Sequence, residues 1–106
     1  MTDTYRSIRE DVLAMLEREL PQLRKIFGVH TIGLFGSVSR GEDTPESDVD
    51  VVVGFREGEY TLANLVHLAE YLEEKTRRSV DVVPDDAISR YLRPFIEEEV
   101  IMIAAA

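Results

Sequence analysis

Apolar residues at Ile8, Val12, Leu16, Leu20 and Leu23 recur every three or four positions with charged residues between them, which predicts an amphipathic helix with one core-facing stripe. Pro21 removes a backbone donor and biases Leu20 away from helical geometry, so a break or kink is expected there. A second short turn then carries Leu23, Ile26 and Phe27, and Gly28 stops it. Residues 31–35 are short, β-prone and largely apolar, a first strand that Gly36 and Ser37 end abruptly. The Ser-, Gly- and acid-rich stretch 38–47 predicts a helical turn and a solvent loop. A second strand follows over about 48–55, its valine-rich middle pointing to burial on both faces. Leu62, Leu65, Val66, Ala69 and Leu72 return to helical spacing behind Thr61 or an upstream residue as N-cap. Residues 79–83 form a third strand ended by Pro84, and 85–99 are helix-prone, with Pro94 either forcing Arg93 out of helical geometry or marking a new helix start. Residues 100–103 supply a short last strand. The order predicts an α+β (layered α/β) fold, a small mixed sheet with helices packed on it.

The length of 106 residues suits one domain spanning 1–106. Lys and Arg number 12 against 21 acids, a net charge of −9, which disfavours direct nucleic-acid binding and suits a basic protein partner or simple solubility. The absence of cysteine excludes disulfides and thiolate zinc sites. The first residues lack the basic and apolar regions of a signal peptide, and no apolar run is long enough to span a membrane. A soluble, cytoplasmic protein is expected.

Chemistry concentrates between Gly36 and Asp50. Asp48 and Asp50 are one residue apart at a strand start, so their carboxylates leave the same face, roughly 6.6 Å apart along the backbone. Val49, Val51 and Val53 point the other way. Acids beside a forming core either raise their pKa values or recruit a cation, and oxygen-only ligands favour a hard ion such as Mg²⁺. If strands one and two pair antiparallel, Gly36 and Ser37 lie next to these acids. A helical crossover to a parallel third strand brings Asp81 to the same end. Glycine lets the backbone approach closely, amides at a helix start attract phosphate, and Ser37 adds a hydroxyl. Arg40, about one helical turn along, is within reach of a triphosphate.

Gly-Ser, ten residues, Asp-x-Asp and a later strand Asp together resemble the signature of the DNA polymerase beta nucleotidyltransferase superfamily. Gly36-Ser37-Val38-Ser39-Arg40-Gly41 with Ser47-Asp48-Val49-Asp50-Val51-Val52-Val53 is most similar to its minimal nucleotidyltransferase (MNT) branch, and the likeness covers most of the chain. The resemblance implies that Gly36 and Ser37 bind the triphosphate and that Asp48 and Asp50 bind magnesium. Asp81 would share a metal or help activate the incoming hydroxyl. It further implies two Mg²⁺ ions, ATP as donor, and an antitoxin that adenylylates a tyrosine of a HEPN ribonuclease toxin, in a hetero-oligomer with it.

Two other functions compete: neutralisation of such a toxin by binding alone, and transfer to a small molecule, for which so short a chain leaves little acceptor pocket. Outside the motif, Ser47 is expected to begin the strand, and His30 and His67 have no partners that would mark them as ligands. Tyr60, Tyr71 and Tyr91 are packing or interface residues, and Glu97, Glu98 and Glu99 read as a solvated helix face or a docking patch.

Overall fold

In the computed structural model, which describes residues 4–104, the chain runs α1 (Arg9–Phe27), β1 (Val29–Phe35), α2 (Gly36–Arg40), β2 (Val49–Phe55), α3 (Leu62–Thr76) and β3 (Val80–Pro84). A 3₁₀ turn (Asp85–Ala87), α4 (Arg93–Glu99) and β4 (Ile101–Ala104) follow. The four strands form one mixed sheet in the order β3-β2-β1-β4, with β1 antiparallel to both neighbours and β2 parallel to β3. The parallel pair is joined through α3, as its longer connection requires.

Register decides which face is core. Ile32 lies opposite Val53 and Leu34 opposite Val51, and with Val49 and Val80 they pack against Val12, Leu16, Leu23, Leu68 and Leu72 of α1 and α3. The alternate positions, among them Gly33, Val52, Asp50 and Asp81, therefore belong to the opposite face. There α4 covers only part of the sheet, through Ile96 beside Thr31 and Val52.

Three local expectations are corrected. α1 runs unbroken through Pro21. Pro21 and Glu17, the residue whose carbonyl loses its partner, are both exposed, so water replaces the missing bond. Burying Leu16, Leu23 and Phe27 is worth roughly 1.5–3 kcal/mol each, more in sum than the ~3 kcal/mol a helical proline costs. Of the three apolar residues carried beyond Pro21, Leu23 and Phe27 are buried and Ile26 is 55% exposed. Gly28 does end the helix, in the left-handed conformation at φ 69°, as a residue without Cβ can at no steric penalty.

In α3 the Thr61 hydroxyl accepts from the Asn64 amide at 3.1 Å, as an N-cap does. The buried stripe, however, is Leu68 and Leu72, while Leu62 is 76% and Val66 46% exposed. The Asn64 side chain donates to the Phe27 carbonyl at 2.6 Å and the Glu59 carbonyl at 2.8 Å, fixing the rotation of the helix. Leu62 and Val66 then fall roughly 100° and 140° around the helix from the core side. Leu68→Ala is expected to lower unfolding stability by about 2–5 kcal/mol and Leu62→Ala by less than about 0.5 kcal/mol in denaturant titration; equal losses would restore the stripe read from sequence.

The segment 85–99 is not one helix. The 3₁₀ turn and a loop precede α4, which starts at Arg93 with Pro94 in its first turn, where a missing N–H is harmless.

Candidate functional site

β1 ends at Phe35, which pairs with Asp50 of β2, and Asp50 pairs in turn with Asp81 of β3. The chain leaves β1 through Gly36 at φ +80°, a turn that leads directly into α2. The Asp50 carboxylate fills the space beside this glycine: a Cβ at position 36 would lie 2.2 Å from Asp50 Oδ2. Ser39, buried in α2, donates from its hydroxyl to the Gly36 carbonyl at 2.8 Å and holds the turn closed. Ser37, half-buried, sits beside Gly36 at the start of α2.

Asp48 is exposed and lies in the loop one residue before β2, which begins at Val49 rather than at the acid. It is near enough to press on Asp50. Burial pushes the Asp50 carboxyl up to about 6, and the charge of Asp81, a hydrogen bond with Asp81, and the charges of Asp48 and Glu99 add in the same direction. Carboxylates crowded with no compensating cation are the electrostatic signature of a site suited to a hard divalent ion. The side chains as they stand do not gather three ligating groups at coordinating spacing among the described residues. Asp50 and Asp81 are the adjacent pair, and the exposed Asp48 would complete the set by turning toward them. The donor chemistry fits Mg²⁺, which takes few carboxylates and keeps positions for water and phosphate.

Arg40, 44% exposed, is held by two glutamates rather than by the acids of the sheet. Its Nε meets Glu42 Oε1 at 2.8 Å and its Nη1 meets Glu99 Oε2 at 2.5 Å. Glu99 Oε1 accepts from the Gly36 amide at 3.0 Å. Glu97 and Glu98 are exposed, but Glu99 is turned into the site, which corrects the reading of the triple-glutamate run as one solvated face. The available signal was its phase: Ile96 is half-buried, and a residue three positions on shares its helix side.

Asp43, not singled out from sequence, is a buried acid in the loop between α2 and β2. It accepts from Tyr5 Oη at 2.5 Å, from the Ser7 hydroxyl, and from the Ile8 amide at 3.2 Å, fastening the loop to the start of α1. Burial pushes its carboxyl up, yet these hydrogen bonds together hold it below the usual carboxylate range. Arg78 secures the other side of the loop, donating to the carbonyls of Thr44 at 3.0 Å and Ser47 at 3.1 Å and to Tyr5 Oη at 2.7 Å. Ser47 accepts from the Thr44 amide at 2.8 Å and lies in the loop two residues before β2, so it does not begin the strand as expected. Asp48 is thus delivered by a braced loop.

The aromatic residues split. Tyr71 packs edge-on against Phe27 and Tyr60 stacks on Phe55, whereas Tyr91 is 74% exposed. An open groove of about 600 Å³ flanked by Arg40, Phe95, Glu98 and Glu99 adjoins the site. A more apolar cleft under α4, beside Thr31, Val52 and Met102, does not include the paired aspartates.

A family model described as the nucleotidyltransferase domain matches residues 13–103. Protein adenylyltransferase MntA of Thermococcus cleftensis is 35% identical over 94 residues, 89% of this chain and 94% of that protein. Among solved structures, a toxin-antitoxin complex with AMP-PNP shares the fold at TM-score 0.70 and 23% identity, over 85% of this chain and 73% of that one. A tri-AMPylated Shewanella oneidensis HEPN toxin in complex with an MNT antitoxin also shares it, at TM-score 0.64 and 21% identity, over 89% of this chain and 73% of that one. With the match extending from α1 into β4, this chain belongs to the nucleotidyltransferase domain family.

Proposed function

We propose that this chain, as one minimal nucleotidyltransferase domain, transfers AMP from ATP to a tyrosine hydroxyl of a HEPN ribonuclease toxin and so acts as its antitoxin in the cytoplasm. The observation that carries the reading is the lateral register Phe35, Asp50, Asp81, which sets two acids beside a glycine turn on the open face of the sheet. The relative named protein adenylyltransferase supports the reaction, and the solved complex with a tri-AMPylated HEPN toxin supports the partner. No helix among the described residues is long and apolar enough to cross a membrane.

Gly36 and Ser37 offer an amide and a hydroxyl to the triphosphate, and Arg40 adds a guanidinium. Asp48, Asp50 and Asp81 would hold two Mg²⁺ ions, which would neutralise phosphate charge and lower the pKa of the attacking hydroxyl. The acceptor oxygen attacks the α-phosphorus in line, the bond to the β-phosphate oxygen breaks, and pyrophosphate leaves. Asp81, exposed on an edge strand, would share a metal or help to take the acceptor's proton. Holding reactants aligned in a charge-compensated site supplies most of the acceleration.

The test is to mix the purified protein and its HEPN partner with Mg²⁺ and labelled ATP, and to weigh the partner by intact-mass spectrometry. An added AMP mass on a tyrosine is expected. Tight association without covalent label would instead make the chain an inhibitor by binding, and label on a small molecule alone would make the acceptor non-protein.

A further inference from the structure

We propose that Glu99 is an intramolecular competitor for the nucleotide, occupying the phosphate-holding groups until a triphosphate displaces it. This rests on the nucleotidyltransferase reading of the Gly36–Ser37 turn. The two oxygens of Glu99 are divided between the Gly36 amide at 3.0 Å and Arg40 Nη1 at 2.5 Å. A backbone amide at a glycine turn and a guanidinium are the donors a phosphate group takes, and here a carboxylate presents them with two anionic oxygens in its place. The Glu99 side chain is 23% exposed and its bond to the Gly36 amide is partly buried, while Arg40 is 44% exposed and reached by solvent. Glu97 and Glu98, on the same helix, are exposed and do not reach the turn.

Two further features make the occupant displaceable. Glu99 adds negative charge beside Asp50, so its position is held by the Gly36 and Arg40 donors against repulsion from the acids of the sheet. It also stands two residues before Ile101, which pairs with Leu34 of β1, so the backbone beyond it is fixed while the side chain is free to rotate away. A triphosphate offers more negative oxygens than one carboxylate and wins the exchange, whereas a single inorganic phosphate gains little from it. Glu99 thereby sets the affinity for nucleotides and discriminates against small anions. The apparent affinity is the intrinsic one reduced by the fraction of molecules whose turn is open.

Titration of labelled ATP with Mg²⁺ into the wild type, Glu99→Gln, Glu99→Ala and Glu98→Gln tests the idea, with each variant's unfolding midpoint measured alongside. Both Glu99 variants are expected to bind ATP about tenfold more tightly, and Glu98→Gln within about twofold of wild type. Glu99→Gln and Glu98→Gln remove the same charge, so equal tightening would mean a general field and overturn the competitor. Unchanged or weaker binding in both Glu99 variants, with a wild type that binds ATP, would also overturn it and leave the nucleotide reading standing. ATP binding by none of the four proteins would remove that reading and the competitor with it.

Discussion

Asp50→Asn is expected to raise the unfolding temperature of the metal-free protein by roughly 5–10 °C at neutral pH and above while abolishing nucleotidyl transfer. The stabilisation follows from the carboxyl being pushed up to about 6 by burial and then by Asp81, Asp48 and Glu99. Its folded pKa lies above its unfolded value of 3.8, so between the two the native state holds more protons. Stability therefore falls as pH rises through about 6, and the penalty is complete above that. A shift of about two units corresponds to ~3 kcal/mol at most, and partial solvent exposure reduces it to the order of 1–2 kcal/mol. Asparagine removes the charge and the penalty, so the gain should vanish below about pH 4, where the wild-type carboxyl is protonated in both states. Transfer should drop by at least about 10²–10³-fold, the scale on which single charge-stabilising groups act. Scanning calorimetry across this pH range with a labelled-ATP assay checks both; a variant that is less stable at every pH, or fully active, would contradict the assignment of Asp50.

Gly36→Ala is expected to damage the fold and the site together. At φ +80° an alanine is strained by roughly 1–3 kcal/mol. Its Cβ would also stand 2.2 Å from Asp50 Oδ2 and 3.1 Å from Asp50 Cγ, so the carboxylate must rotate out of its place. The unfolding temperature should fall by several degrees, roughly 4–8 °C per kcal/mol for a domain of this size, and ATP binding should disappear with it. Undiminished nucleotide affinity in Gly36→Ala, measured by calorimetric titration, would mean that the turn and the acid are not one site.

The lateral register of the site was legible in sequence because it depends on few rules. Alternation around Val49, Val51 and Val53 put Asp50 on the non-core face, a moderate loop allowed β1 and β2 to pair antiparallel, and a helical crossover made β3 parallel. Those rules suffice to bring Gly36, Asp50 and Asp81 together. Glu99 was hidden because its partner lies 63 residues away and its inward turn depends on where α4 starts. Asp43 was hidden similarly: an aspartate in an acidic loop looks solvated until Tyr5, Ser7 and Ile8 are seen to converge on it. The overrun at Pro21 and the exposure of Leu62 have one cause, namely that packing against the sheet outweighs local propensity and selects among overlapping apolar stripes.

The brace on the loop that carries Asp48 comes from a segment that contributes little to the core, residues 5–8 ahead of α1. Fraying reaches such contacts before it reaches Leu16 or Leu34, since partial openings begin where few apolar contacts resist them. On gentle warming the braced loop would lose its alignment, and Asp48 with it, while the helices and sheet still give a native circular-dichroism spectrum. Catalytic competence and foldedness would thus part company below the melting point.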